Sequence, residues 1–270
     1  MYEHPLYGLV IPEKGWVPAP RFVLRRYRIL KLMEALPKGS VLEIGCGAGT
    51  LLHDLATRGF SCVGYEASPQ AYALARYVHQ KSPNVKIVDH TRNDWQGNFD
   101  YVLAFEVLEH IEDDVGALAK WRTWLKPGGR LVLSVPAHQK RWSAADIWAG
   151  HYRRYERASL AGTLEKSGFQ IQHTECYGYP LANMVEPLRI YFYTKELRKR
   201  AAGGGVSRAG NNQRSGFDRK YESRLFKLQN LRLTQATVKF FLKAQERFLD
   251  GEKGNGYLVV ARQYGRVDRL

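Results

Sequence analysis

Short apolar runs alternate along most of the chain with stretches whose apolar residues recur every three or four positions. Val41 to Ile44 reads as a strand, and a helical pattern opens at about Thr50 and runs to Arg58, where Gly59 stops it. Phe60 to Tyr65 is a second buried strand. Ser68 caps and Pro69 opens a helix through about Gln80. Val85 to Val88 and Phe99 to Phe105 are the third and fourth strands. Asp113 to Leu125 is helical and turns through Lys126-Pro127-Gly128-Gly129 into a fifth strand, Arg130 to Val135. A helix from Ala158 to Ser167 ends at Gly168, a sixth strand spans Phe169 to Cys176, and Gly256 to Arg262 is a last strand. Regular alternation of this kind predicts an α/β fold, a Rossmann-like, mostly parallel sheet with helices on both faces. Right-handed crossovers then gather the binding loops at the strands' C-terminal edge.

The flanks depart from this rhythm. Pro5, Pro12, Pro18 and Pro20 predict an irregular opening, followed by a helix from about Ala19 to Leu36 with Phe22, Tyr27, Leu30 and Leu36 on one face. Arg21, Arg25, Arg26 and Arg28 fall mostly elsewhere on it, as a solvated basic side or as part of a lid. About 80 residues separate the sixth and last strands. They hold a helical stretch from Leu181 to Arg200, a Gly/Ser/Asn-rich basic segment over 201–216 that is expected to be a mobile loop, and a long helix from about Arg219 to Leu249. That second helix has an apolar stripe of Tyr221, Leu225, Leu228, Leu231, Val238, Phe241 and Phe248. The domains expected are a helical cap over 1–40, a core over 41–178, a basic helical insertion over 179–250, and the last strand and tail over 251–270.

Composition changes the picture at one point. A chain of 270 residues, 44 % hydrophobic and 25 % charged, suits a globular protein, but its net charge is +15. From Lys195 onward 18 basic residues face 7 acidic ones, so +11 of that charge lies in the last 76 residues. A basic surface favours an anionic partner: nucleic acid, an acidic membrane face, or a phosphorylated or carboxylated substrate. No apolar run approaches the ~20 residues of a membrane span, so the expected location is cytoplasmic, with peripheral contact to the inner membrane face as an option. Cys46, Cys62 and Cys176 lack metal-ligand spacing, and no metal site is expected.

The chemistry concentrates where the first strand breaks into Glu43-Ile44-Gly45-Cys46-Gly47-Ala48-Gly49-Thr50. Glycines at alternate positions let the turn take positive φ and let a ligand lie against backbone N–H groups at a helix start. The pyrophosphate fingerprint G-x-G-x-x-G is not matched, and Glu43 would repel phosphates while attracting a sulfonium or ammonium. The stretch resembles motif I of the class I S-adenosylmethionine-dependent methyltransferases. Glu66, 23 positions on and followed by Ala67, is placed to accept hydrogen bonds from both ribose hydroxyls. Phe105-Glu106-Val107-Leu108-Glu109-His110-Ile111 and the Leu125-Lys126-Pro127-Gly128-Gly129 turn are similar to the small-molecule branch that includes the ubiquinone-biosynthesis methyltransferases.

That resemblance implies S-adenosyl-L-methionine as cofactor and a seven-stranded sheet completed by an antiparallel last strand. It further implies Glu43, Gly45, Cys46, Gly47 and Gly49 around the cofactor, Asp89 or His90 along the adenine edge, Phe105 and Glu106 at the methionine end, and His110 near the substrate or in a structural role. Beyond Pro136 a polar and aromatic loop holds Trp142 and Gly150-His151-Tyr152-Arg153-Arg154-Tyr155. Its functional reading is an anion-holding substrate wall of Trp142, Arg153, Arg154 and Tyr155, with His151 as general base and Arg153 or Arg154 as clamp. Its alternative is a salt-bridged loop.

Methyl transfer from a sulfonium requires no metal, and positioning alone contributes on the order of 7–11 kcal/mol. The leading expectation is O-methylation of a small or lipid-linked, anionic metabolite. RNA methylation using the basic tail, and a non-catalytic cofactor-binding protein, are the alternatives.

Overall fold

The computed structural model describes residues 1–202, 210 and 231–264. Nine strands and eight α-helices organise them. The strands are β1 (Tyr2–His4), β2 (Gly8–Val10), β3 (Ser40–Ile44), β4 (Ser61–Tyr65), β5 (Val85–Val88), β6 (Phe99–Phe105), β7 (Leu125–Pro136), β8 (Phe169–Tyr177) and β9 (Gly256–Gln263). The helices are α1 (Pro20–Glu34), α2 (Thr50–Ala56), α3 (Pro69–His79), α4 (Asp114–Trp124), α5 (Ala144–Ala149), α6 (Arg157–Lys166), α7 (Leu181–Ala202) and α8 (Arg232–Ala244).

Seven strands form one sheet in the order β5-β4-β3-β6-β7-β9-β8. β3 pairs in parallel with β4 and β6, β4 with β5, and β6 with β7, while β9 runs antiparallel between β7 and β8. The expected sheet and its reversed last strand are therefore present. The central strands are covered on both faces, which explains why their sequences read as continuous apolar runs. Leu42, Val102, Leu131, Leu133 and Val259 meet α4 and α6 side chains in one core. Val41, Leu103, Val132 and Leu258 meet α1 and α2 in the other. Strand order reverses beside β3, and the crevice at that switch point is where open α/β sheets take their ligands.

Three expectations need correction. The proline-rich opening is not irregular, because β1 and β2 pair antiparallel, Tyr2 with Val10. The arginines of α1 are not a solvated side either. Arg26 and Arg28 are buried, Arg26 donating to Asp54 (Nε to Oδ2, 2.6 Å) and Arg28 forking onto Glu175 at 2.6 and 2.9 Å. These bonds clamp α1 to α2 and to β8. In the C-terminal helix, the face that reaches the core carries Leu242, with Gln245 and Leu249 just beyond it, whereas Leu231 is exposed and Val238, Phe241 and Phe248 are half-buried. The stripe expected from the periodicity is thus turned partly out of the core. Tyr221, Leu225, Leu228 and nearly all of the 201–216 segment lie outside the described residues.

Candidate active site

A cavity opens at the C-terminal ends of β3, β4 and β6, floored by the glycine turn and roofed by α1, α5 and α7. Gly45, Gly47 and Gly49 have φ of 66°, 56° and 70°, so the turn needs residues without a Cβ. Gly45 is also constrained by space, since a Cβ there would come within 2.8 Å of Val107. The Gly47 N–H donates to Glu66 Oε2 and the Ser68 N–H to Glu66 Oε1, both at 2.8 Å, which fixes the carboxylate at the end of β4 facing the turn.

Glu43 shares the β3 face of Val41 and is buried, with Oε2 lacking a partner among the described residues. Burial pushes its pKa up to about 8, against the pull of Arg25. Glu106 adopts a left-handed conformation (φ 58°) that turns its carboxylate back toward α1. Arg21 lies 2.9 Å from Oε2 and Arg25 3.4 Å from Oε1, and the Tyr177 hydroxyl donates to Oε1 at 3.1 Å. Burial would raise the pKa of this carboxyl. The two guanidinium groups outweigh it and hold Glu106 ionised.

Two histidines of the lining, His110 and His151, rest on the buried Asp146 and Glu109. His151 Nδ1 lies 2.9 Å from Asp146 Oδ1. An ionised carboxylate accepts the Nδ1 proton, leaving the Nε2 lone pair turned toward Glu109 Oε1, 3.9 Å away. The His110 and His151 rings meet edge to face at 4.7 Å. Burial lowers the pKa of both imidazoles, that of His110 to about 3 with help from His151. Glu109 is fully buried, both of its oxygens lack partners among the described residues, and burial together with Glu106 raises its pKa. Glu109, His110 and His151 each offer one donor atom, all within 4.8 Å of one another. The sequence reading expected no metal, yet an orphaned buried carboxylate beside two imidazoles is a donor set that fits a divalent cation.

Of the residues expected at the site, Glu43, Gly45, Cys46, Gly47, Glu66, Phe105, Glu106, His110 and His151 line the cavity. The others stand apart. Gly49 caps α2 and its carbonyl meets His79 Nε2 at 2.8 Å. Ala67 is exposed, and Asp89 and His90 are exposed and bonded to each other at 2.7 Å, away from the lining. Arg154 cannot serve as a clamp, because it is buried and both Nε and Nη2 are held by Asp146 at 2.7 and 2.9 Å. Arg153 is bound to Asp114 and to the Glu112 carbonyl, and the buried Tyr155 hydroxyl donates to Asp114. Trp142 is half-buried and off the cavity, where Trp148 takes the place expected of it. For these residues the salt-bridged-loop reading prevails. Sequence reasoning missed Asp146 as the partner of His151, and Arg189 and Tyr193 as a wall supplied by α7. The Ser143–Asp146 capping box was a usable local signal for an ordered Asp146; nothing local marked the α7 wall.

A doubly wound sheet with a reversed last strand and a glycine turn facing an acidic residue at the end of the next strand defines the methyltransferase architecture. The chain belongs to the methyltransferase domain family, which matches residues 21–174. It is similar to the ubiquinone biosynthesis O-methyltransferase of Xanthomonas campestris pv. campestris, 33 % identical over 107 residues, 37 % of this chain and 44 % of that one. The match thus spans less than half the relative's length. Among solved structures, the cyclase SpnF superposes with a TM-score of 0.58 at 17 % identity, covering 95 % of this chain and 85 % of the other. An S-adenosylmethionine-dependent methyltransferase from Mesorhizobium loti superposes at 0.52 and 17 % identity, covering 91 % and 98 %. At such identities these likenesses concern the fold.

Proposed function

We propose that this chain transfers a methyl group from S-adenosyl-L-methionine to an oxygen of a small or lipid-linked, anionic metabolite. The observation that carries the reading is the Asp146–His151 pair, whose imidazole lines the cavity that also holds the glycine turn. In this reading Glu66 holds the ribose hydroxyls, and Glu43 and Glu106 hold the ammonium of the methionine end. Arg21 and Arg25 can share their charge between Glu106 and the methionine carboxylate. A neutral hydroxyl acceptor must lose its proton as the carbon–oxygen bond forms, and His151 Nε2 accepts it while Asp146 stabilises the imidazolium. A divalent cation on Glu109, His110 and His151 would occupy that same Nε2, so it is an alternative to general-base catalysis and would instead supply a lower pKa to an acceptor hydroxyl bound to it. Arg189, which also reaches the cavity, offers a positive charge to an anionic acceptor.

The O-methyltransferase name of the relatives supports oxygen as the acceptor atom. The test is transfer from radiolabelled S-adenosylmethionine into cell extract separated into RNA, protein, lipid and small polar fractions, with Gly47→Arg as blank. Label in an oxygen ether or ester of the lipid or small-molecule fraction is the expected result. Label in RNA, or cofactor binding without transfer to any fraction, overturns it.

A further inference from the structure

The two faces of α7 have opposite characters. Inward, Arg189 and Tyr193 line the cavity, and Tyr193 packs on Trp148 with ring centroids 4.4 Å apart. Outward, its first half exposes Met184, Pro187, Leu188 and Tyr191, a spacing that places them on one stripe. Met184 is 65 %, Leu188 53 % and Tyr191 61 % exposed. The same stripe continues into the exposed Lys195, Arg198 and Lys199. Both acids of the helix are engaged away from it: Glu186 with Asn255 at 3.1 Å and Arg154 at 3.6 Å, and Glu196 with Arg200 at 3.2 Å. The outer stripe is therefore apolar along one half, basic along the other and free of acid. α8, packed with the start of α7 in one cluster through Leu242 and Ala182, repeats the mixture, exposing Leu233 and Phe240 beside Lys239 and Lys243.

We propose that the outer face of α7 docks on an anionic lipid bilayer. The apolar half enters the boundary between headgroups and acyl chains, and Lys195, Arg198 and Lys199 rest on anionic headgroups. Charge complementarity selects this occupant. A nucleic acid would use the cations but gains little from Met184, Pro187 and Leu188, and a second copy would either set like charges against each other, with the helices parallel, or lay each cationic half on the other's apolar half, with them antiparallel. The arrangement places the cavity's α7 wall about one helix diameter, ~10 Å, from the membrane surface. A lipid-linked acceptor would then reach the site without leaving the bilayer. This last consequence rests on the proposed reaction; the docking itself does not.

The experiment is flotation of the full chain with vesicles of phosphatidylcholine alone or with 30 % phosphatidylglycerol. Two variants accompany it, Leu188→Glu/Tyr191→Glu and Lys195→Gln/Arg198→Gln/Lys199→Gln. Binding is expected only to the anionic vesicles. At about fivefold per charge removed, the triple variant should lose on the order of 100-fold in partitioning, and the double variant should fail to float. Circular dichroism and S-adenosylhomocysteine titration should leave both variants equal to the parent, since all five side chains are exposed. No flotation of the parent, or flotation unaffected by either variant, overturns the proposal. So does loss of a dimer in the Leu188→Glu/Tyr191→Glu variant, or salt-sensitive RNA retention lost in the triple variant without any vesicle binding. Transfer to a water-soluble acceptor, measured alongside, separates the two readings: transfer without flotation refutes the docking alone, and flotation without transfer to any acceptor refutes the reaction alone.

Discussion

His151 and Glu43 show how a single side chain's surroundings set its chemistry. The Asp146 carboxylate takes the Nδ1 proton of His151 and burial disfavours the imidazolium, so a neutral ring lines the cavity. Replacing His151 by Gln should lower turnover with a hydroxyl acceptor about 100-fold to 10,000-fold while S-adenosylhomocysteine affinity, measured calorimetrically, stays within about twofold. An equal loss of cofactor affinity would place His151 in binding instead. Glu43 is held mainly protonated at neutral pH by burial, with its pKa at about 8. A cofactor ammonium favours the carboxylate, so the pKa falls on binding and a proton is released. Affinity for S-adenosylhomocysteine should therefore rise with pH up to about 8, by at most about tenfold per unit, and level off above it. In Glu43→Gln the slope over that interval should vanish.

At the scale of elements, α1 is the piece whose role the hydrophobic pattern understates. Its stripe predicts a packing helix, and it does pack, through Ile29, Leu30 and Met33. Its arginines do more. Arg26 holds the fully buried Asp54 of α2, Arg28 holds the buried Glu175 of β8, and Arg21 and Arg25 hold Glu106 beside the cavity. Removing one partner of a buried pair leaves an uncompensated charge, so Arg26→Ala should cost about 3–5 kcal/mol in chemical denaturation. A loss below about 1 kcal/mol would mean that water reaches Asp54. Some element boundaries were legible: β6 begins and ends where its apolar run does, and α3 runs from the proline that opens it to one residue short of the expected end, whereas β7 starts at Leu125 rather than the expected Arg130, because Leu125 already pairs with Phe99 ahead of the Lys126–Gly129 stretch. In α8 the pattern misled, because cationic side chains interrupt an apolar face that is only partly used for packing.

The whole molecule decides which chemistry assembles. Glu109 and His110 follow β6, while His151 lies more than 40 residues later, after α5, yet their donor atoms fall within 4.8 Å of one another. Titration with Mn²⁺, Mg²⁺ or Zn²⁺ should reveal one cation bound per chain, and Glu109→Gln should weaken that binding at least tenfold. Absence of binding for all three ions would leave Glu109 as a protonated buried acid. Among the described residues no helix is long and apolar enough to cross a membrane.

The sequence by itself determined the seven-stranded sheet, the approximate position of its strands, the glycine turn, Glu43 and Glu66. These depend on local causes: side-chain period, the absence of a Cβ, and short-range caps. Only the tertiary structure decided how the charged residues of the loop after β7 are used. G-H-Y-R-R-Y shows two arginines and a histidine in one stretch, and nothing local distinguishes a cation facing a ligand from one bound to a neighbour. Asp146 takes both His151 and Arg154, Asp114 takes Arg153 and Tyr155, and the positive wall of the cavity comes instead from Arg21, Arg25 and Arg189. A buried charge must find its counter-charge wherever the fold places one, and that partner is set by packing across the molecule rather than by position along the chain.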